Sequence, residues 1–381
     1  MKSLPFDIDN PRLAAAAWSR LTEPGDEIAG ALVAQLGATG ALAWLLEHQD
    51  GPNPDSPAAE LLVAGVARWQ TRLADLDSRR DLKAIELLGG RLLLPDDACW
   101  PAGLNDLELG APFALWARGN ADLLTNCERS VAIVGARAST HYGESVAASL
   151  AAGLCDRDFA VISGGAYGID AAAHRSTLLA GGRTVAVMAG GVDQLYPRGN
   201  HRLLQQVIEH GTLISEVPPG STAMKHRFLS RNRLIAALSD ATVVVEAAWR
   251  SGALSTARHA AALLRPVGAV PGPVTSMASG GCHQLLREGI AVCVTDAAEV
   301  ADLAGNCADA TDQPVGEKRA IDNLDGAARA VLDAFPARAY ADVPLLTREA
   351  GRPLPVVLGA LGVLELRGFV EADGARWRLK R

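Results

Sequence analysis

The spacing of apolar positions changes character along the chain. Up to residue 88 they recur at helical intervals: Leu13, Trp18 and Leu21 in one stretch, Ile28, Leu32 and Leu36 in a second, Leu42, Leu45 and Leu46 in a third. Gly37 and Gly40 punctuate these, Asp50-Gly51-Pro52-Asn53-Pro54 reads as a loop, and a long helical pattern covers 57–88. Residues 1–88 are therefore expected to form an all-helical domain. From 90 to 130 a connecting segment holds one strand pattern, 113–117. Short apolar runs follow at 131–134, 160–163, 184–189, 213–215, 242–246, 267–270 and 291–294. None alternates with polar residues, as befits strands buried on both faces. Helical patterns fill the gaps, so 89–303 predicts an α/β domain with a doubly wound, mostly parallel sheet.

Residues 304–324 are polar and read as a linker. In 325–381, helical patterns cover 327–335, a start at Thr347, and 356–366 closed by Gly368. Two short strand patterns, 369–371 and 376–379, then flank Asp373-Gly374, a hairpin turn signal. Helices followed by a two-stranded ribbon form the winged-helix pattern. Several domains suit 381 residues better than one core does.

Composition narrows the classes. With 49% apolar and 21% charged residues the chain folds, and a net charge of −7 excludes a uniformly basic polyanion binder. A locally basic one stays open. The first residues lack a cationic segment followed by an apolar run, so no signal peptide is expected, and no uninterrupted apolar run suggests a membrane span. Six cysteines without a C-x-x-C pair point to a reducing cytoplasm and no zinc ribbon; Cys282-His283 has no spaced partner pair, so no metal is expected.

The candidate chemistry lies where strands end. The first parallel strand ends in Gly135-Ala136-Arg137, the second in Ser163-Gly164-Gly165-Ala166, the third in Gly190-Gly191-Val192-Asp193. Each opens a helix, so backbone N–H groups converge on a possible anion site. A dinucleotide fingerprint would need glycine where Arg137 stands and an acidic residue where the second strand ends in Ser163-Gly164, so no NAD or other cofactor is expected. A triad of Ser163, His174 and Asp170 is poor, because Ser163 lacks the nucleophile elbow; Asp170 suits a helix cap and His174 a packing role. Residues 217–239 contain no acid and carry Lys225, Arg227, Arg231 and Arg233 around Phe228. Cations with an embedded aromatic fit a phosphate backbone and a stacked base, bound with strong salt sensitivity. Ser251 and Gly252 suit a helix start facing the same crevice, and Glu246 is expected to pair with an arginine.

Taken in order, these segments resemble the DNA-processing protein A family (DprA, also called Smf): Gly135-Ala136-Arg137, Ser163 to Asp170 with His174, Gly190 to Asp193 with Tyr196-Pro197 and Asn200, Ser215-Glu216, Arg231-Asn232-Arg233, Glu246-Ala247 with Ser251-Gly252, and Pro271-Gly272 with Gly281-Cys282. The resemblance implies an extended Rossmann-like domain flanked by a sterile-alpha-motif-like helical domain and a winged helix. It implies a cytoplasmic, non-enzymatic single-stranded-DNA-binding protein that protects incoming DNA in natural transformation, loads the recombinase RecA, and dimerises through the Rossmann-like domain. It places Arg137, Lys225, Phe228, Arg231, Asn232 and Arg233 in the DNA pocket; the strand-end loops and helix start add Gly135, Ser163, Gly164, Gly165, Ser251 and Gly252 to the residues expected at DNA. The family usually has Asn at His283, Pro at Leu229 and Gly at Ala189. The rival reading is a nucleotide-processing hydrolase of the lysine-decarboxylase-like group, a phosphoribohydrolase, using Glu246; its Pro-Gly-Gly-x-Gly-Thr loop is absent. A duplex-binding regulator fits less well, since the helix holding Val356 to Leu361 has no Arg, Asn or Gln to read bases.

Overall fold

A computed structural model of the chain describes residues 4–48, 57–125, 129–305, 324–336 and 339–380. The chain divides into two compact units, Met1–Ala310 and Thr311–Arg381. In the first, the described residues include nine strands: β1 (Arg91–Leu93), β2 (Leu115–Gly119), β3 (Ser130–Val134), β4 (Ala160–Ser163), β5 (Thr184–Met188), β6 (Thr212–Ser215), β7 (Ala241–Val244), β8 (Val267–Ala269) and β9 (Val292–Cys293). They form one sheet in the order β1-β2-β6-β5-β4-β3-β7-β8-β9. From β6 to β9 all neighbours are parallel, while β1 and β2 form an antiparallel edge. Strands β3 to β7 are buried at every position, which is why each reads as a continuous apolar run.

The chain steps outward from β3 through β4 and β5 to β6, then returns to the opposite side of β3 with β7. Loops leaving the carboxyl ends of β3 and β7 diverge at that reversal, and a crevice opens between them. This is the mostly parallel α/β sheet expected from the sequence.

The N-terminal region is helical, in Pro11–Leu21, Glu27–Glu47, Pro57–Leu73 and Ser78–Leu87. These helices do not form a compact unit of their own, as a boundary at residue 88 implied. Ala15, Ala16 and Ile85 share a core with Trp116, Leu204 and Leu213 of the sheet layer, and the Trp116 indole N–H donates to Ser19 Oγ at 3.2 Å. Trp18 and Trp69 meet edge to face at 5.3 Å in a second core that takes in Phe113. One expectation needs correcting. Glu27–Glu47 has a mean hydropathy of 1.6 over an 18-residue window and is long and apolar enough to cross a membrane by length and composition. Its backbone, however, breaks at Gly37, where φ is 71°, and its second half buries Ala41, Leu42 and Leu45 among the other helices.

The second unit runs helix Gly326–Asp333, β10 (Ala341–Asp342), helix Val343–Ala350, helix Leu354–Leu366, β11 (Val370–Asp373) and β12 (Arg376–Leu379), with an antiparallel sheet in the order β10-β12-β11. Gly351, at φ 60°, closes the middle helix with a left-handed cap. Val357, Leu361 and Leu364 pack one face of the long helix on Val331 and Leu346. The sequence missed β1 and β10. The linker positions 306–323 and the loop Asp50 to Pro54 lie outside the described residues.

Candidate nucleic-acid interface

A cavity of about 430 Å3 occupies the β3/β7 reversal, walled by the loop after β3, the loop after β7 and the helix Lys225–Ala237. The first loop can turn this tightly because Gly135 lacks a side chain: a Cβ there would stand 2.5 Å from Ile169 Cγ1 and 2.9 Å from the Glu246 carbonyl oxygen. Two residues on, Arg137 is exposed. Its guanidinium carbon lies 4.7 Å from the centre of the Phe228 ring, a cation–π contact. Phe228 also meets Tyr196 at 5.8 Å with ring planes inclined at 52°. Asn232 Nδ2 donates to the Gly252 carbonyl at 3.1 Å and so ties this helix to the β7 loop. Ser251 Oγ accepts from the Ala253 N–H at 3.3 Å, starting the helix Ala253–Ala262. Lys225 is exposed in the first turn, three residues before Phe228 and hence on the same side of the helix, although it is not part of the cavity wall.

The loop after β4 is organised differently, and it corrects several assignments. Ser163 is fully buried, and its hydroxyl donates to the Ile133 carbonyl at 2.7 Å across the β3–β4 pair. Asp170 does not cap its own helix. Its Oδ2 reaches back to accept the N–H groups of Gly164, at 3.1 Å, and Ala166, at 3.3 Å. Burial pushes the Asp170 carboxyl up, while Arg231 and these N–H groups pull it down. Arg231 is only 5% exposed. Its Nη1 donates to the Gly164 carbonyl at 2.8 Å and to the Val187 carbonyl. Burial lowers its pKa to about 10, opposed by Asp170. A Cβ on Gly164 would collide with that guanidinium, and one on Gly165 would stand 2.9 Å from Leu204. Asn200 Nδ2 donates to the carbonyls of Gly165, at 3.0 Å, and Ala166, at 2.9 Å. The groups expected to cradle an anion are thus held by the protein itself. Ser163, Gly164 and Gly165 stand outside the cavity wall, and Arg231 enters it as a buried charge rather than a free donor.

Arg233 also leaves the predicted set. It is buried against Glu216 at 2.6 Å and does not face the cavity. Arg227 is likewise engaged: its Nε and Nη2 donate to Glu23, each at 2.8 Å, beside His226 at 2.9 Å and Arg72. Partial burial pushes the Glu23 carboxyl up, but these donors outweigh it and hold the group down at about 2. Glu246, expected beside an arginine, instead accepts from the Thr140 N–H at 2.9 Å and the Thr140 hydroxyl at 2.5 Å at the start of the helix His141–Cys155. His174 is a packing residue, bonded to Thr184 Oγ1 at 2.7 Å, and burial lowers its pKa to about 3. No cluster of potential metal ligands occurs among the described residues.

Residues 91–305, which hold the sheet and every wall of the cavity, match the DNA recombination-mediator protein A family. The chain belongs to that family. It is 44% identical over 385 residues to a DprA protein of Mycobacterium tuberculosis, covering 98% of this chain and 96% of that one. It is 35% identical over 274 residues to the Smf protein of Escherichia coli, covering 71% and 72%. The X-ray structure of DprA from Streptococcus pneumoniae superposes with a TM-score of 0.62 at 30% identity, covering 78% of this chain and 98% of that one. A second structure, of DNA processing protein A from Helicobacter pylori, is described for its single-stranded DNA binding mode; it gives 0.51 at 28% identity, covering 55% and 94%.

Within this DprA/Smf chain, sequence reasoning overlooked Arg250 and Ala248, which line the cavity, and the clamping roles of Asp170 and Asn200. Arg250 could have been found from its place beside Ser251-Gly252. Of the positions where the chain departs from the family's habit, Leu229 lines the cavity, His283 Nε2 lies 3.0 Å from the Gly272 carbonyl oxygen, and Ala189 is buried. The assembled site offers exposed cations, an aromatic face and a narrow glycine loop, and the one carboxylate among its described lining residues, Asp170, is already committed.

Proposed function

We propose that the cavity between β3 and β7 binds single-stranded DNA without regard to base sequence and without catalysing a reaction on it. One observation carries this reading: Arg137, exposed on its glycine loop, stands 4.7 Å from the partly buried Phe228 ring that lines an open cavity. That pairing offers a phosphate a cation and its base a stacking surface. Family membership and the Helicobacter pylori relative support it. The hydrolase reading needs a free strand-end carboxylate, and Glu246 is occupied by Thr140; release of ribose 5-phosphate from nucleoside monophosphates would reinstate it. The direct test is a titration of oligo-dT against duplex of equal length. Single-strand preference is expected, and the variant combining Arg137→Ala with Lys225→Ala should bind at least tenfold more weakly, by analogy with lost phosphate contacts. Unchanged affinity in a gel shift would remove this site.

The same proposal reads the second unit as a winged helix, from its order of helix, strand, two helices and ribbon, and the N-terminal helices as a sterile-alpha-motif-like layer. Loading of RecA, dimerisation through the sheet domain and a cytoplasmic location are proposed on the family resemblance. Light scattering of the purified chain and RecA filament formation on coated DNA would test the first two.

A further inference from the structure

A further aromatic, on the other side of the sheet reversal from Phe228, stands exposed beside the same cavity. Trp249 lies between Ala248 and Arg250, both of which line it, and is 54% exposed. The chain has seven tryptophans; Trp18, Trp69, Trp100 and Trp116 are buried, and no other described one is as open as Trp249. The ring is not loose. Gly280 lies against its edge, where a Cβ would stand 2.7 Å from the indole nitrogen. The Arg287 guanidinium carbon is 5.4 Å from the ring centre, repeating on another element the arrangement of Arg137 over Phe228.

The two cation–aromatic pairs flank the sheet reversal. Phe228 keeps company with Tyr196, from the loop after β5, whereas Trp249 follows β7 and its supports Gly280 and Arg287 follow β8. Strands β5 and β7 lie on opposite sides of β3, three spacings apart, or about 14 Å at the usual separation. A strand crossing the cavity would meet an aromatic ring, the Arg137 cation, and a second ring. Exposed cations accompany that second ring, Arg250 and Arg287, as a polyanion would require. We infer that Trp249, steadied by Arg287, is a second base-stacking station for a nucleobase of the same single strand whose phosphates lie at Arg137. The inference rests on the single-stranded-DNA reading above.

The experiment follows intrinsic tryptophan fluorescence while the full chain is titrated with oligo-dT, in wild type and in Trp249→Phe. It also compares affinities and salt slopes for wild type, Trp249→Phe and Trp249→Ala. Saturating DNA should quench the wild type. Trp249→Phe, which keeps a ring, should bind more tightly than Trp249→Ala but lose most of the quenching. Trp249→Ala should bind roughly five- to 150-fold more weakly, the usual range for one lost base stack, with an unchanged salt slope because no phosphate contact is removed. Persistent quenching in Trp249→Phe, or wild-type affinity in Trp249→Ala, would overturn the station. So would a slope smaller by about 0.7 in Trp249→Ala, which would mean that the ring merely positions a phosphate-binding cation. A wild-type chain that fails to bind oligo-dT removes the underlying reading, and this site with it.

Discussion

The loops that leave β3 and β4 are alike in sequence and opposite in use. Gly135-Ala136-Arg137 turns tightly against Ile169 and presents its arginine to solvent. Ser163-Gly164-Gly165-Ala166 turns as tightly, yet its N–H groups go to Asp170 and its carbonyls to Arg231 and Asn200. A glycine-rich strand end therefore says that the backbone is crowded; it does not say by what. At β3 the glycine is crowded by Ile169 and the Glu246 carbonyl and the loop turns Arg137 out into the cavity, whereas at β4 the loop is closed by a buried cation and a buried carboxylate.

The largest effect expected from this contrast is on stability. Arg231→Leu would leave the Asp170 carboxylate buried without its cation and remove the guanidinium donor from the Gly164 and Val187 carbonyls, costing about 3–5 kcal/mol in urea unfolding. A loss below 1 kcal/mol, with weakened DNA binding, would return Arg231 to the ligand. The β4 side should also make the fold acid-sensitive. His174 holds its pKa near 3 by burial against an ordinary value of 6.5, so only the unfolded chain takes up its proton in that window. Stability is thus intact above pH 6.5 and falls as pH drops towards 3, by about 2 kcal/mol at pH 5. Denaturation midpoints of wild type and His174→Gln across pH 7 to 5 check the sign; parallel curves would assign the loss to other groups. The finest comparison uses two glycines. Gly164→Ala meets the Arg231 guanidinium and should cost about 2 kcal/mol as overpacking. Gly252→Ala has open space around its Cβ and helical dihedrals, φ −62° and ψ −23°. It should leave stability within about 0.5 kcal/mol or raise it slightly, while weakening oligo-dT binding by narrowing the cavity. The reverse pattern would exchange the roles assigned to the two loops.

The central strands were legible because burial on both faces writes itself as an apolar run, and the reversal between β3 and β7 put the crevice where such sheets keep ligands. Strands β1 and β10, three and two residues long, exist only through their partners Leu115–Gly119 and Arg376–Leu379, which no local pattern records. The helical character of the first 88 residues was readable, but not that Ala15, Ala16 and Ile85 complete the core beneath Trp116. In the site, Gly135, Arg137, Phe228, Asn232, Ser251 and Gly252 were found from motif and charge, and they stand together. Arg231 lines the cavity as a buried, internally bonded charge, and Ser163, Gly164, Gly165 and Arg233 stand outside its wall, because spacing reveals which groups can make hydrogen bonds and not which bonds the folded chain has already made.

The internal pairing along Lys225–Ala237 carries a consequence for the thermodynamics of binding. Residues 217–239 have four Lys and Arg and no acid, which on paper promises a steep release of counterions. Three of the four are engaged within the fold: Arg227 with Glu23, Arg231 with the β4 loop and Arg233 with Glu216. Lys225 is the exposed one, joined at the site by Arg137, Arg250 and Arg287. About four phosphates would then be neutralised, and the slope of log affinity against log salt should be close to −3. That is a shallow dependence for a nucleic-acid binder, and it leaves stacking on aromatic rings to provide a large share of the affinity at high ionic strength.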